Sequence, residues 1–203
     1  MVEASSAGRR AQIKEELMTM TDQLWANFET YDTVLEDASK NYIAKQTIGE
    51  GGNIVNLIKY RADGLTEEQW SQWTASPTIV AAALNPKLTR IELPDDDGHK
   101  VVLLKMKMPM VISNRSIVTT FYEHTKEDGT KLIFHSSRGN EEIAAANADK
   151  IGKDVVGNNV ITHMSFKPYE GGIELQQCVQ MDPAGSIPSF IKNKMAKRMA
   201  NGL

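Results

Sequence analysis

Between Thr89 and Met181 the chain passes through six strand-length runs: Thr89–Leu93, Lys100–Met108, Arg115–His124, Lys131–Ser137, Asn159–Lys167 and Gly172–Met181. Each is rich in β-branched or aromatic residues, the composition that fits a pleated surface. Three separators are turn sequences, Asp95-Asp96-Asp97-Gly98, Glu127-Asp128-Gly129 and Tyr169-Glu170-Gly171-Gly172. A parallel crossover needs about a dozen residues or more, so connections this short force antiparallel neighbours. The runs therefore predict a meander, not βαβ units. One longer separator, residues 140–153, carries Ala144, Ala145, Ala146 and Ala148 and reads either as a helical turn or as a surface excursion.

Helical spacing brackets the sheet. From about Ala7 to Phe28, Ile13, Leu17, Met20, Leu24 and Phe28 recur every three or four residues, which predicts an amphipathic helix. Asn41–Ile48 and Ile54–Arg61, joined through Gly51-Gly52, predict a hairpin. Thr66 followed by Gln69 has the spacing of a capping box, with Trp70 and Trp73 as the apolar positions behind it. Pro77 opens a short helix through Ile79, Val80 and Ala83 that stops near Asn85-Pro86. Pro188 opens the last helix, where Ile187, Ile191, Met195 and Met199 repeat every four residues beside Lys192, Lys194, Lys197 and Arg198. The order predicts an α+β domain over residues 8–203, with residues 1–7 as a tail.

Charge and composition narrow the function. The 203 residues carry a net charge of −3, without the basic excess of a general nucleic-acid binder. No apolar leader segment opens the sequence and no apolar run is long enough to span a bilayer. The single cysteine, Cys178, excludes an internal disulfide and fits a reducing, cytoplasmic setting. His99, His124, His135 and His163 lack metal-ligand spacing, and no phosphate loop or nucleophile elbow is present. No cofactor, metal, catalytic residue or nucleic-acid partner is expected, and the chain reads as a monomer.

Strand alternation assigns faces. Val102, Leu104, Met106 and Met108 fall on one side of their run. Ile173, Leu175, Gln177, Val179 and Met181 share a side of the last run, opposite Glu174, Gln176, Cys178 and Gln180. An apolar and a polar face need cover on the apolar side only, and the terminal helix is the natural cover. A filled core is the ordinary use of such faces. Methionine also suits the wall of a pocket for an apolar ligand. Cys178, on the polar side with no base beside it, reads as structural, and strand pairing is able to bring His135 and His163 together.

The stretch Lys105–Val118, KMKMPMVISNRSIV, resembles a segment of the START (StAR-related lipid transfer) domains in which a strand enters a Pro-containing turn and the next strand opens on Arg-Asp. Asp182-Pro183-Ala184-Gly185-Ser186-Ile187-Pro188 resembles that family's closing motif before its C-terminal helix. The resemblance implies a helix-grip fold, a curved antiparallel sheet around a long C-terminal helix that encloses a hydrophobic tunnel. The tunnel holds one lipid, a sterol, phospholipid or related molecule, exchanged at a membrane surface. It implies a gate formed by the last helix and the loop from His124 to Thr130. It also places the lipid body against Val102, Leu104, Met106, Met108, Ile187, Ile191 and Met195, with Arg115 at the polar end; Gln177, polar on the apolar side of the last run, is a second headgroup candidate or, more ordinarily, hydrogen-bonds a neighbouring group. Lys192, Lys194, Lys197 and Arg198 have two readings, a solvated cationic face or a surface that meets anionic headgroups during transient peripheral docking. Arg115 has a second reading, as a cap on the Ser113-Asn114 turn. Two departures stand out: Ser116 replaces the motif Asp, and Val102 stands where sterol-binding members have a carboxylate. An enzyme of the wider helix-grip superfamily, cyclase-like or thioesterase-like, and a protein-interaction module with a solid core are the competing functions.

Overall fold

One antiparallel sheet carries the molecule in a computed structural model that describes residues 6–66, 68–69, 88–108, 112–185 and 187. Across the sheet run β1 (Asp32–Asp37), β2 (Tyr42–Ile48), β3 (Ile54–Asp63), β10 (Gly172–Asp182), β9 (Asn158–Tyr169), β7 (Lys131–Ser136), β6 (Arg115–Thr125), β5 (His99–Met106) and β4 (Leu88–Asp96). A two-residue strand, β8 (Val155–Val156), adds to β6 in parallel. All six runs expected between Thr89 and Met181 are strands, and the hairpin through Gly51-Gly52 is β2 and β3. β1 is an addition: its sequence, DTVLED, has too few apolar residues to announce a strand, and its side chains are mostly solvent-facing. The turn between β4 and β5 has Asp97 and Gly98 both at positive φ, the backbone that matches the twist of a tight hairpin.

Three helices lie on one side, here called the outer face: α1 (Ser6–Ala26), α2 (Glu141–Ala146) and α3 (Ala148–Ile151). Residues 140–153 thus contain two short helices, as their alanine content allows. Ile13 and Leu17 of α1 pack on Leu57, Tyr122, Phe134, Ile161 and Cys178. Ile143, Ala144 and Ile151 of α2 and α3 cover Val101, Leu103 and Val118. Leu17 is completely buried, worth about 2 kcal/mol by burial alone. The expectation that only one face of the last strand needs cover is therefore corrected. Cys178 and Gln180 lie under the α1 side, and Gln180 Nε2 donates to the Glu50 carbonyl at 2.8 Å.

Arg10 pins α1 down, a role that its sequence position does not announce. Its buried guanidinium donates to Asp96 Oδ2 at 2.6 Å, Asn140 Oδ1 at 2.9 Å and Tyr122 Oη at 3.2 Å. A buried cation without such partners would be costly, so the helix docks in one register. Asn140 spreads the network by accepting from Thr120 Oγ1 and donating to the Val118 and Ser136 carbonyls.

The capping box is present: the Gln69 N–H donates to Thr66 Oγ1 at 3.2 Å, and the Thr66 N–H to Gln69 Oε1 at 3.0 Å. Trp70, Trp73 and the Pro77 helix, like the helix expected from Pro188, lie outside the described residues. Residues 126–130 form a tight turn, with Lys126 and Thr130 bonded through their backbones and Lys126 Nζ 3.9 Å from Asp22 of α1. A turn so short and so tied gives no geometric support to the gate expected there. His135 and His163 do not meet either. His135 pairs with Thr162 and His163 with Phe134, so the two rings point to opposite faces.

Candidate functional site

The inner face, opposite α1, is where the sequence places its apolar stripes. Val102, Leu104 and Met106 do share that face, set beside Thr119, Ile117 and Arg115 of β6. Val102 and Ile117 are fully buried, while Leu104 and Met106 are half-buried. Ile133, Met164, Phe166, Ile173 and Leu175 make one inner cluster, and Ala44 and Ile58 make a second with Tyr42 and Tyr60. Gln177 lies half-buried between them, opposite Ile58 and Met164. None of the described helices packs on this face, yet its centre is buried. Met108 does not continue the stripe: β5 ends at Met106, and the Met108 N–H turns to Asn114 Oδ1 at 3.1 Å. Ile187 is buried. Ile191, Met195, Lys192, Lys194, Lys197 and Arg198 lie outside the described residues.

Arg115 is buried and its three nitrogens all donate to carbonyls. Nε reaches Pro183 O at 2.5 Å, Nη2 reaches Ala184 O at 3.0 Å, and Nη1 reaches Ser113 O. The turn-capping reading is the one this geometry realises, with two differences. The side chain is enclosed, and it also clasps the strand exit at Pro183-Ala184, three residues before Ile187 and the expected last helix begin. A planar fork with fixed donor directions suits three carbonyls from two segments. This clasp occupies the guanidinium that a headgroup would need, so the expectation of Arg115 as headgroup ligand loses its geometric basis.

Comparison with solved structures tests the fold. Human StAR-related lipid transfer protein 5 superposes with a TM-score of 0.74 over 95% of this chain and 91% of its own, at 16% identity. The chain has the START fold. Human STARD10 matches with a TM-score of 0.63, 13% identity, and coverage of 85% of this chain and 72% of its own. A Xanthomonas axonopodis StAR-related lipid transfer protein fragment matches with a TM-score of 0.61, 15% identity, and coverage of 85% and 93%. No family model and no curated protein matches the sequence.

Within the START fold the two motif departures have local explanations. Ser116 lacks the carboxylate of the usual motif, but Asp154 supplies one from the α3–β8 connection. Ser116 Oγ donates to Asp154 Oδ2 at 2.8 Å, and Lys105 Nζ lies 3.3 Å from the same oxygen. Val102 leaves the inner face apolar at its position, and the adjacent polar groups come from β4, β6 and β7 instead. Arg90 on β4 sits over the Phe121 ring, 5.2 Å from its centroid, and the His135 ring lies 4.0 Å from that same ring, centroid to centroid. Sequence reading missed Arg90, because an arginine in a strand at a sheet edge ordinarily marks solvent.

Burial sets the chemistry of the remaining candidates. It pushes the Cys178 thiol up to about 12, so the sulfur is protonated and unreactive in the folded chain. It drives both His135 and His163 down to about 3, aided by the nearby Arg90 charge for His135 and by Lys126 for His163. Both imidazoles are neutral at physiological pH. Among the described residues, no group of His, Cys, Asp and Glu has the geometry to hold a metal ion, and no helix is long and apolar enough to cross a membrane.

Proposed function

We propose that this chain binds one lipid against the inner face of the sheet and exchanges it at a membrane surface. The observation that carries the proposal is a continuous apolar sheet face opposite α1, buried at its centre, in a fold shared over nearly the whole chain with structures named for lipid transfer. The driving force is removal of the lipid's hydrocarbon from water, about 25 cal/mol per Å². The tail lies against Val102, Leu104 and Met106, with Gln177 as a polar group farther along the face. Residues 8–203 act as one domain, and Ile187, Ile191 and Met195 close the site from the C-terminal side. Lys192, Lys194, Lys197 and Arg198 hold the protein briefly to an anionic leaflet, each cation contributing about 1 kcal/mol. Lodging in the cytoplasm as a monomer fits this cycle, since the free protein has to diffuse between membranes.

The test is direct. Native mass spectrometry of the purified full chain, before and after incubation with liposomes of mixed phospholipid, sterol and sphingolipid, reads the ligand by mass. A one-to-one lipid adduct is the expected result. A chain that emerges without lipid and takes none from the liposomes would refute the proposal.

A further inference from the structure

Four buried side-chain nitrogens have no hydrogen-bond partner among the described residues: Trp25 Nε1, Arg90 Nε, His135 Nε2 and His163 Nδ1. Two of them flank one ring. Phe121 on β6 is contacted by the Arg90 guanidinium at 5.2 Å and by the His135 ring at 4.0 Å. All three residues project from the inner face: Arg90 pairs with Leu104, and Phe121 with His135. His135 is 8% exposed and the Arg90 side chain 12% exposed, so water does not readily satisfy either group.

Such an arrangement is costly if it does nothing. A buried donor left unpaired forfeits its hydration, and an apolar residue of the same shape would be better tolerated there. The Phe121 face offers Arg90 a weak cation–π contact, and Glu92 lies 3.6 Å from its Nη2. The Glu92 side chain, however, is 77% exposed and spends its charge on solvent. Neither contact serves Nε. Next to it a neutral imidazole, in its Nε2–H tautomer, offers a second donor. Two donors, one of them cationic, beside an aromatic wall on an otherwise apolar face are a receptor for an anionic oxygen carried on an apolar body. A neutral hydroxyl would leave the guanidinium with only the solvent-exposed Glu92 as counter-charge, and a cationic headgroup would be repelled by it.

We propose that Arg90 and His135 form the polar anchor of the lipid site and that the ligand is an amphiphile with an anionic headgroup, a carboxylate or a phosphate. This inference rests on the lipid-binding reading given above and adds to it the headgroup class and the residues that select it. Arg115, with its donors on the Pro183, Ala184 and Ser113 carbonyls, holds the frame while Arg90 reads the ligand.

Titration calorimetry on the full chain tests it with tail-matched probes: laurate and dodecyl phosphate against 1-dodecanol, with acetate and inorganic phosphate as tail-less arms. The wild type is expected to bind the anionic amphiphiles at least ten-fold more tightly than dodecanol and the tail-less anions far more weakly. Arg90→Met should lower anionic-amphiphile affinity roughly 10- to 100-fold, the loss of a hydrogen bond to a charged group, and leave dodecanol affinity unchanged. His135→Phe, which keeps the ring against Phe121, should show a smaller loss of the same kind. Both variants should melt no lower than the wild type, because each removes a buried donor without a partner. Should Arg90→Met not fold, Arg90→Lys serves in its place, keeping the charge and losing the Nε donor. Retention of the anionic preference in both variants, or equal wild-type affinity for dodecanol and dodecyl phosphate, would overturn the anchor while leaving lipid binding intact. Inorganic phosphate binding as tightly as dodecyl phosphate would instead make the site a receptor for a free anion, and the proposal would fall. A wild type that takes none of the amphiphiles and no liposome lipid sinks the lipid reading and the anchor together.

Discussion

Acidification should unfold this protein through two histidines, and the loss can be worked from their environments. His163 lies under α1, 3% exposed, with its ring 4.9 Å from that of Phe134, and His135 lies on the opposite face against Phe121. Burial lowers both from the ordinary 6.5 to about 3. Both imidazoles are therefore neutral when folded and take up a proton on unfolding. Their neutral burial is without penalty above about pH 6.5, and stability falls as the pH drops from there toward 3. Each pH unit in that window costs about 1.4 kcal/mol per histidine, so a descent from pH 6.5 to 4.5 removes roughly 5 kcal/mol from the two together. A typical domain has about 5–15 kcal/mol in total. Asp37 and Asp128, the carboxylates held below their usual range by hydrogen bonds from Ser39 and Thr130, titrate at lower pH and leave this window to the histidines. Urea midpoints at pH 7.5, 6.5, 5.5 and 4.5 provide the readout. In His163→Phe, which preserves a ring beside Phe134, the pH dependence between 6.5 and 4.5 should fall to about half. A wild-type midpoint that stays flat to pH 4.5, or a variant with the wild-type slope, would refute the reasoning.

Three further outcomes are expected. Arg115→Lys keeps the charge but cannot span carbonyls from two segments; it should cost about 2–3 kcal/mol, lowering Tm by about 5–10 °C in differential scanning fluorimetry. An unchanged Tm with lipid uptake lost would return Arg115 to the ligand. Arg10→Met should destabilise by about 3 kcal/mol, since it leaves Asp96 without its buried cation and Asn140 Oδ1 with Thr120 Oγ1 alone; equilibrium urea unfolding of the variant checks this. Cys178, with its thiol raised to about 12, should react with Ellman's reagent at pH 8 only as fast as the chain opens, so labelling should accelerate steeply with added urea.

Period and punctuation were enough for most of the fold. The Asp-Gly and Gly-Gly turns mark hairpins because few other residues take the backbone they need, and each expected strand between them is present. β1 escaped notice because an edge strand whose side chains are mostly exposed needs no apolar alternation. The polar face of β10 misled for a related reason. Gln180 and Cys178 are buried under a helix far away in sequence, and alternation within one strand cannot report what a distant element covers. The site was legible in part. Val102, Leu104 and Met106 share the expected face, but Met108 falls beyond the strand end, where a turn breaks the alternation. Arg115 was singled out correctly as a residue that must find partners, yet sequence offered no means of seeing that Pro183 and Ala184 come within its reach. Arg90 and His135 went unseen because their meaning lies in one shared neighbour, Phe121, contributed by another strand.

The pairing of β3 with β10 also governs when this chain is able to fold. The two strands sit side by side near the middle of the sheet, with residue 63 opposite residue 172, so more than a hundred residues separate the partners. On the ribosome the β1–β3 ribbon is made early and has no neighbour for β3 until the last strand emerges. Long-range pairing of this kind is slow, and the waiting strand edge is a template for pairing with other chains. The nascent ribbon therefore spends most of translation in need of shielding, and a truncation before residue 172 would leave β3 with one open edge for good.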